Sequence, residues 1–173
     1  QKLVDEVSAS TDSEGNASFT VTTSQPVPVG ETVTATALEV TGGNTSEFSA
    51  PKTVVAPDEV APRVVRVVPA EDATGVAPAA NVSAFFSEEM RSGTVNANTV
   101  KLRKAGTTQS LPATVGYDAA TDKAILNPDA NLQAGATYIA TVTSGARDLA
   151  GNGLDQDPNA SGNQQKVWKF KVR

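Results

Sequence analysis

The chain contains no histidine and no cysteine. Without them there is no Ser-His-Asp or Cys-His nucleophile system, no zinc site built on imidazole or thiolate, and no disulfide framework. Long apolar runs are missing too, so no segment reads as a membrane span. Aromatic residues make up only 5% of the sequence, with a single tryptophan. The 14 basic residues stand against 19 acidic ones, a formal net charge of -5, and they form no run that could track phosphates, so nucleic acid is not an expected partner. Asp, Glu, Lys, Ser, Thr and Tyr remain, but nothing in their spacing sets out an acid, a base and a nucleophile, and the chain reads as no enzyme.

What is present points to strands. Thr, Ser, Ala, Val, Asn and Gly dominate, no window carries a sustained i, i+3, i+4, i+7 apolar stripe, and short runs alternate with period two. In residues 137–143, Tyr138, Ala140 and Val142 share one face. In residues 166–173, Trp168, Phe170 and Val172 point one way and Val167, Lys169, Lys171 and Arg173 the other, as for a strand with one solvated side. Trp168 is therefore a core anchor; it could serve as a carbohydrate-stacking platform only on an exposed face. Further strands are expected at 4–10, 17–23, 32–38, 48–54, 63–68, 81–86, 99–103, 111–117 and 123–127. Turn chemistry separates nearly all of them, at Glu14-Gly15-Asn16, Gly42-Gly43-Asn44, Ala105-Gly106, 118–122 and Asn127-Pro128-Asp129. Short strands at this spacing argue for an all-β sandwich. One brief helical turn, capped by Ser87, is expected over 87–91.

Pro57 and Pro62, with Asp58 and Glu59 between them, mark a stiff linker, giving residues 1–56 and 57–173 as two domains. The first residue is Gln1, so the chain reads as a piece of something longer. An internal echo relates the two parts: residues 29–37 match 134–142 in pattern, and each is followed by a Gly-Asn loop, at Gly43-Asn44 and Gly151-Asn152. The N-terminal part has room for few strands and looks truncated. Its open sheet edge predicts a homodimer or strand exchange through residues 1–56.

Residues 62–173 resemble the bacterial Ig-like domains of S-layer and other large surface proteins. The likeness rests on Val67-Val68-Pro69-Ala70 with Thr74-Gly75-Val76, on Phe86-Ser87-Glu88-Glu89-Met90, on residues 132–138 and on Asp148-Leu149-Ala150-Gly151-Asn152. Residues 15–50 resemble the end of another extracellular bacterial repeat, with an extra residue, Leu38, before the acidic position. The resemblance implies an Ig-like Greek-key β-sandwich with a smaller, truncated N-terminal β unit. It implies a noncatalytic spacer, structural or adhesion module at the bacterial cell surface or outside the cell, with neighbouring Ig-like modules as partners. The alternative is a glycan- or Ca-binding accessory module, such as one belonging to a secreted hydrolase.

No cofactor is expected beyond that calcium alternative. Asp148, Asn152, Asp155 and Asp157 form the densest oxygen cluster; turn capping is the first reading of their side chains, and they are the candidate Ca²⁺ ligands if any ion binds. Glu88 and Glu89, being adjacent, point apart and read as surface acidity. Asp118 and Asp122 read as hairpin-turn residues. Tyr117 and Tyr138 each sit where a hydroxyl can bond across an Ig-like corner.

Overall fold

The computed structural model describes residues 2–14, 17–39 and 42–173. It divides into two compact units, residues 1–57 and 58–173.

In the first unit every described residue is exposed or half-buried. Among its described residues the one ladder joins β1 (Thr32–Val33) to β2 (Lys52–Thr53), antiparallel. Beyond the ladder the two segments stay together through serines. The Ser49 and Ser46 N–H groups donate to the carbonyls of Ala35 and Ala37, while their hydroxyls accept the Ala35 and Ala37 N–H groups at 2.9 and 2.8 Å. Residues 4–10 and 17–23, expected as strands, carry no regular structure. Their apolar side chains are too few to bury, and a lone two-stranded ribbon cannot organise a third partner. The expected turn at Gly15-Asn16 lies outside the described residues.

The second unit is the sandwich. One sheet holds β3 (Val64–Val68), β4 (Val82–Phe86), β6 (Ala113–Asp118) and β7 (Lys123–Pro128) in the order β3-β4-β7-β6. The other holds β5 (Val100–Lys104), β8 (Thr137–Val142) and β9 (Lys166–Lys171) in the order β5-β8-β9. All neighbours are antiparallel. Because β4 pairs with β7 and β5 with β8, the connections β4 to β5, β5 to β6 and β7 to β8 all cross between sheets, a Greek-key path.

Alternation explains the core. Val82, Ala84, Phe86, Ala124 and Leu126 face inward from the first sheet, and Leu102, Tyr138, Ala140, Val142, Trp168 and Phe170 from the second. Trp168 and Phe170 are 2% and 1% exposed, which rules out a sugar-stacking role for that face. Both tyrosine hydroxyls close corners. Tyr138 accepts the N–H of Gln133 at 2.8 Å and Tyr117 accepts that of Met90 at 2.8 Å.

The expected turn over 87–91 does not form. Ser87 instead prolongs the β3–β4 pairing: its N–H donates to the Arg63 carbonyl and its hydroxyl accepts the Arg63 N–H. With Ser87 committed to the strand, the only short helix among the described residues lies just beyond, a 3₁₀ turn at Ser92–Thr94.

Candidate functional site

The loop after β8 is built around one carboxylate. Asp148 is 1% exposed. Its Oδ1 accepts the N–H groups of Gly151 and Asn152 at 2.6 and 2.8 Å, its Oδ2 accepts the Asn152 side-chain amide at 2.8 Å, and its own N–H donates to the Asn152 carbonyl. The chain can turn back so tightly because Gly151 sits at φ +103, a conformation open to glycine and strained for other residues. Gly153 is required for a different reason: a Cβ there would lie 2.7 Å from the Ser144 carbonyl oxygen. Asn152 then reaches outward, donating to the carbonyls of Asp58 and Val60 and tying down the start of the unit.

The first unit contains the same closure in miniature. Asn44 donates its amide to Glu39 at 2.9 Å, and the Glu39 N–H returns to the Asn44 carbonyl. The acidic position that Leu38 displaces by one in the sequence thus keeps its partner, because the longer glutamate spans the longer loop.

The four expected calcium ligands do not act together. Asp148 and Asn152 bond each other, whereas Asp155 Oδ1 accepts the N–H groups of Asp157 and Gln164, and Asp157 Oδ1 accepts that of Asn159. These are capping bonds of the Asx type. Asp148 instead meets two residues from other loops. One carboxylate oxygen each from Asp58, Glu88 and Asp148 lies within 4.8 Å of the others. Glu88 is half-buried rather than a plain surface acid. Burial, then the charges of Asp58 and Asp148, push its carboxyl pKa up, with Asp122 adding to them and a bond with Ser87 opposing. The adjacent-acid pattern at Glu88-Glu89 concealed this, since one residue turns inward to the cluster and its neighbour outward to solvent.

The trio could supply three oxygens to a hard cation that takes six to eight. Asp148 has already committed both of its oxygens to N–H groups, which weakens that use. No catalytic arrangement accompanies the cluster among the described residues. Tyr117 is half-buried and accepts a backbone N–H, and that burial pushes its pKa up, away from a role as base. Asp118 caps its turn: the Thr121 hydroxyl, helped by the Ala120 N–H and Lys123, holds it below the usual carboxylate range. A cavity of ≈ 170 Å³ beside Leu111, Pro128 and Tyr138 is smaller than most ligand pockets.

The family described as Bacterial Ig-like domain matches residues 58–172. Among solved structures, the S-layer protein SbsC is 17% identical over 66% of this chain and 14% of that one, with a TM-score of 0.47. The N-terminal part of SbsC is 16% identical over 66% of this chain and 24% of that one, at 0.48. PcoC, a methionine-rich copper resistance protein from Escherichia coli, is 19% identical over 66% of this chain and all of that one, at 0.48. The chain thus spans between 14% and 24% of these SbsC structures. No curated protein matches it. With two thirds of its length matched to the family, and with the sandwich, corner tyrosines and closed Asp-Asn loop in place, the chain belongs to the bacterial Ig-like domains.

Proposed function

We propose that the chain is a noncatalytic, load-bearing spacer module of a bacterial surface or secreted protein. Its partners are neighbouring Ig-like modules and, for residues 1–57, a second copy. The observation that carries this reading is how the two ends of the second unit are joined. After β3 the segment 72–76 runs beside β9, and Val76 and Val172 form a parallel bridge. Four backbone bonds link them: Asp72 N–H to Lys169 O, Lys171 N–H to Ala73 O, Val76 N–H to Lys171 O and Arg173 N–H to Val76 O. Tension between residues 58 and 173 drags two parallel segments in opposite directions along their length. Once β3, which lies nearer residue 58, has been drawn off, the four bonds are loaded together in shear, and they must fail together before the rest of the core opens.

The test is single-molecule stretching of the whole chain. The second unit is expected to unfold in one discrete event, and Val76→Pro, which removes the N–H bonded to Lys171, is expected to lower the unfolding force. Leu126→Ala, a core truncation costing about 2–5 kcal/mol, serves as a comparison of equal or greater thermodynamic damage. A larger force loss in Leu126→Ala than in Val76→Pro would remove the shear clamp as the basis of function. Calcium is titrated in parallel. An unchanged melting temperature fits a structural Asp148 loop, while a rise that Glu88→Gln abolishes would make the acidic trio a metal-stabilised joint.

A further inference from the structure

The basic residues are scattered in sequence, but strand pairing gathers four of them onto one surface. On the outer side of the β5-β8-β9 sheet, Lys101 and Arg103 project from β5 and Lys169 and Lys171 from β9, since their neighbours Val100, Leu102, Trp168 and Phe170 are buried. The register sets them in rungs: Lys101 pairs with Thr141 and Thr141 with Val167, Arg103 with Ile139 and Ile139 with Lys169, and Thr137 with Lys171. Two rows of cations therefore flank a central row of threonines and Ile139, about 10 Å apart across the sheet and about 7 Å apart along each strand. An open trough of ≈ 300 Å³ runs along the β5 row, lined by Lys101 and Arg103 together with Thr108, Ser110, Thr141 and Thr143, and by Gln165 and Val167 on its β9 side; Lys169 and Lys171 stand on the same face without lining it.

Little on this surface neutralises the charge. Among the described residues Lys101 and Lys171 make no ion pair; Arg103 donates to the Thr107 carbonyl, and Lys169 meets Asp72 at 3.4 Å with both side chains largely exposed. The rest of the unit carries its acids elsewhere, notably in the trio of Asp58, Glu88 and Asp148.

We propose that this face binds a linear anionic polysaccharide, one bearing carboxylates on successive sugars, laid across the trough and the β9 lysines beside it. Charge complementarity supplies the attraction, and the hydroxyl and amide groups between the cations match the hydroxyls of a sugar chain. Other polyanions fit less well. Tyr138, Trp168 and Phe170 all point inward, so no aromatic ring is offered for stacking a nucleobase. A protein partner would want a central aromatic or aliphatic anchor site, whereas the trough holds only Ile139 and Val167 among hydroxyls.

The experiment is affinity electrophoresis of the whole chain in gels carrying polygalacturonate, neutral dextran, poly-glutamate or poly-uridylate, at low and at physiological salt. Polygalacturonate is expected to retard the chain at low salt and neutral dextran to leave it free, with screening weakening the effect at high salt. Lys101→Thr with Lys171→Thr is expected to weaken binding roughly fivefold to tenfold, about what two exposed charge contacts contribute. Threonine suits an exposed strand position, and an unchanged melting curve confirms that the variant is folded. Arg63→Thr with Lys123→Thr makes the same change in net charge away from this face and is expected to bind as the parent does. Equal loss in both double variants, equal retardation by poly-glutamate or poly-uridylate, or no retardation by polygalacturonate would each overturn the proposal.

Discussion

The carboxyl group of Glu88 concentrates the electrostatic strain of the acidic end. It is half-buried and faces Asp58 and Asp148, so its folded-state pKa lies above the ordinary 4.5. A raised carboxyl pKa means that the folded state holds the proton more tightly than the unfolded state, so stability falls as pH rises from about 4.5 through the folded value. Glu88→Gln removes the ionised form. It is expected to be more stable than the parent at pH 7 by about 0.5 kcal/mol, with the advantage fading below pH 4.5, where Glu88 is protonated in both states. Melting temperatures of the two proteins between pH 3.5 and 8 check this, and an advantage that grows towards acid would refute it. Single-residue roles were unevenly legible in the sequence. Period-two alternation identified Trp168, Phe170 and Tyr138 as core, because burial follows directly from strand phase. The meeting of Asp58, Glu88 and Asp148 was hidden, since each comes from a different loop and no local pattern records how loops converge.

At the level of elements, the strands of the second unit were readable to within a residue or two, from 63–68 through 166–173, because each carries its alternation between clear turn signals. Strands at 4–10 and 17–23 failed on the same signal, as alternation stabilises a strand only where a partner sheet covers the apolar face. How sheet edges are protected was not readable at all. At the β3 edge the Gln156 side chain stands in for a neighbouring strand: its Oε1 accepts the Val64 N–H at 3.0 Å and its Nε2 donates to the Val64 carbonyl at 3.1 Å. Val64 is 5% exposed, so water cannot readily replace either bond. Gln156→Ala is expected to cost about 1–3 kcal/mol in urea unfolding and to speed hydrogen exchange at the Val64 amide. Gln156→Glu keeps the acceptor and loses the donor, and its cost is expected to fall between. If alanine proves as stable as the parent, the amide is a passive neighbour and the edge is held by the β3–β4 ladder alone.

For the whole molecule the deciding contrast is between a unit with a core and a unit without one. In residues 1–57, Asp5, Glu6, Asp12, Glu14, Glu31, Glu39 and Glu47 stand against Lys2 and Lys52, which accounts for the entire net charge of -5, so residues 58–173 are electrically balanced. The same first unit exposes Leu3, Phe19, Leu38 and Phe48 by 71, 56, 65 and 61% and buries no described side chain. Apolar exposure of this kind favours association, with about 25 cal/mol gained per Å² covered, while like charge opposes it. Both forces act on the same contact, and they respond oppositely to salt. Screening shortens the reach of the repulsion to about 8 Å near 0.15 M and about 3 Å at 1 M, and leaves the apolar term intact. Pairing through residues 1–57 is therefore expected to strengthen as sodium chloride is raised. Association through the cationic face of the second unit would weaken under the same change. Sedimentation equilibrium of the whole chain at 0.02, 0.15 and 1 M salt separates the two. A dimer that tightens with salt, and that Phe19→Ser with Phe48→Ser disperses, places the contact on the apolar side chains of the first unit. A dimer that dissolves with salt would locate it on charge instead, and a monomer at millimolar concentration in 1 M salt would mean that the exposed side chains are met only by neighbouring modules.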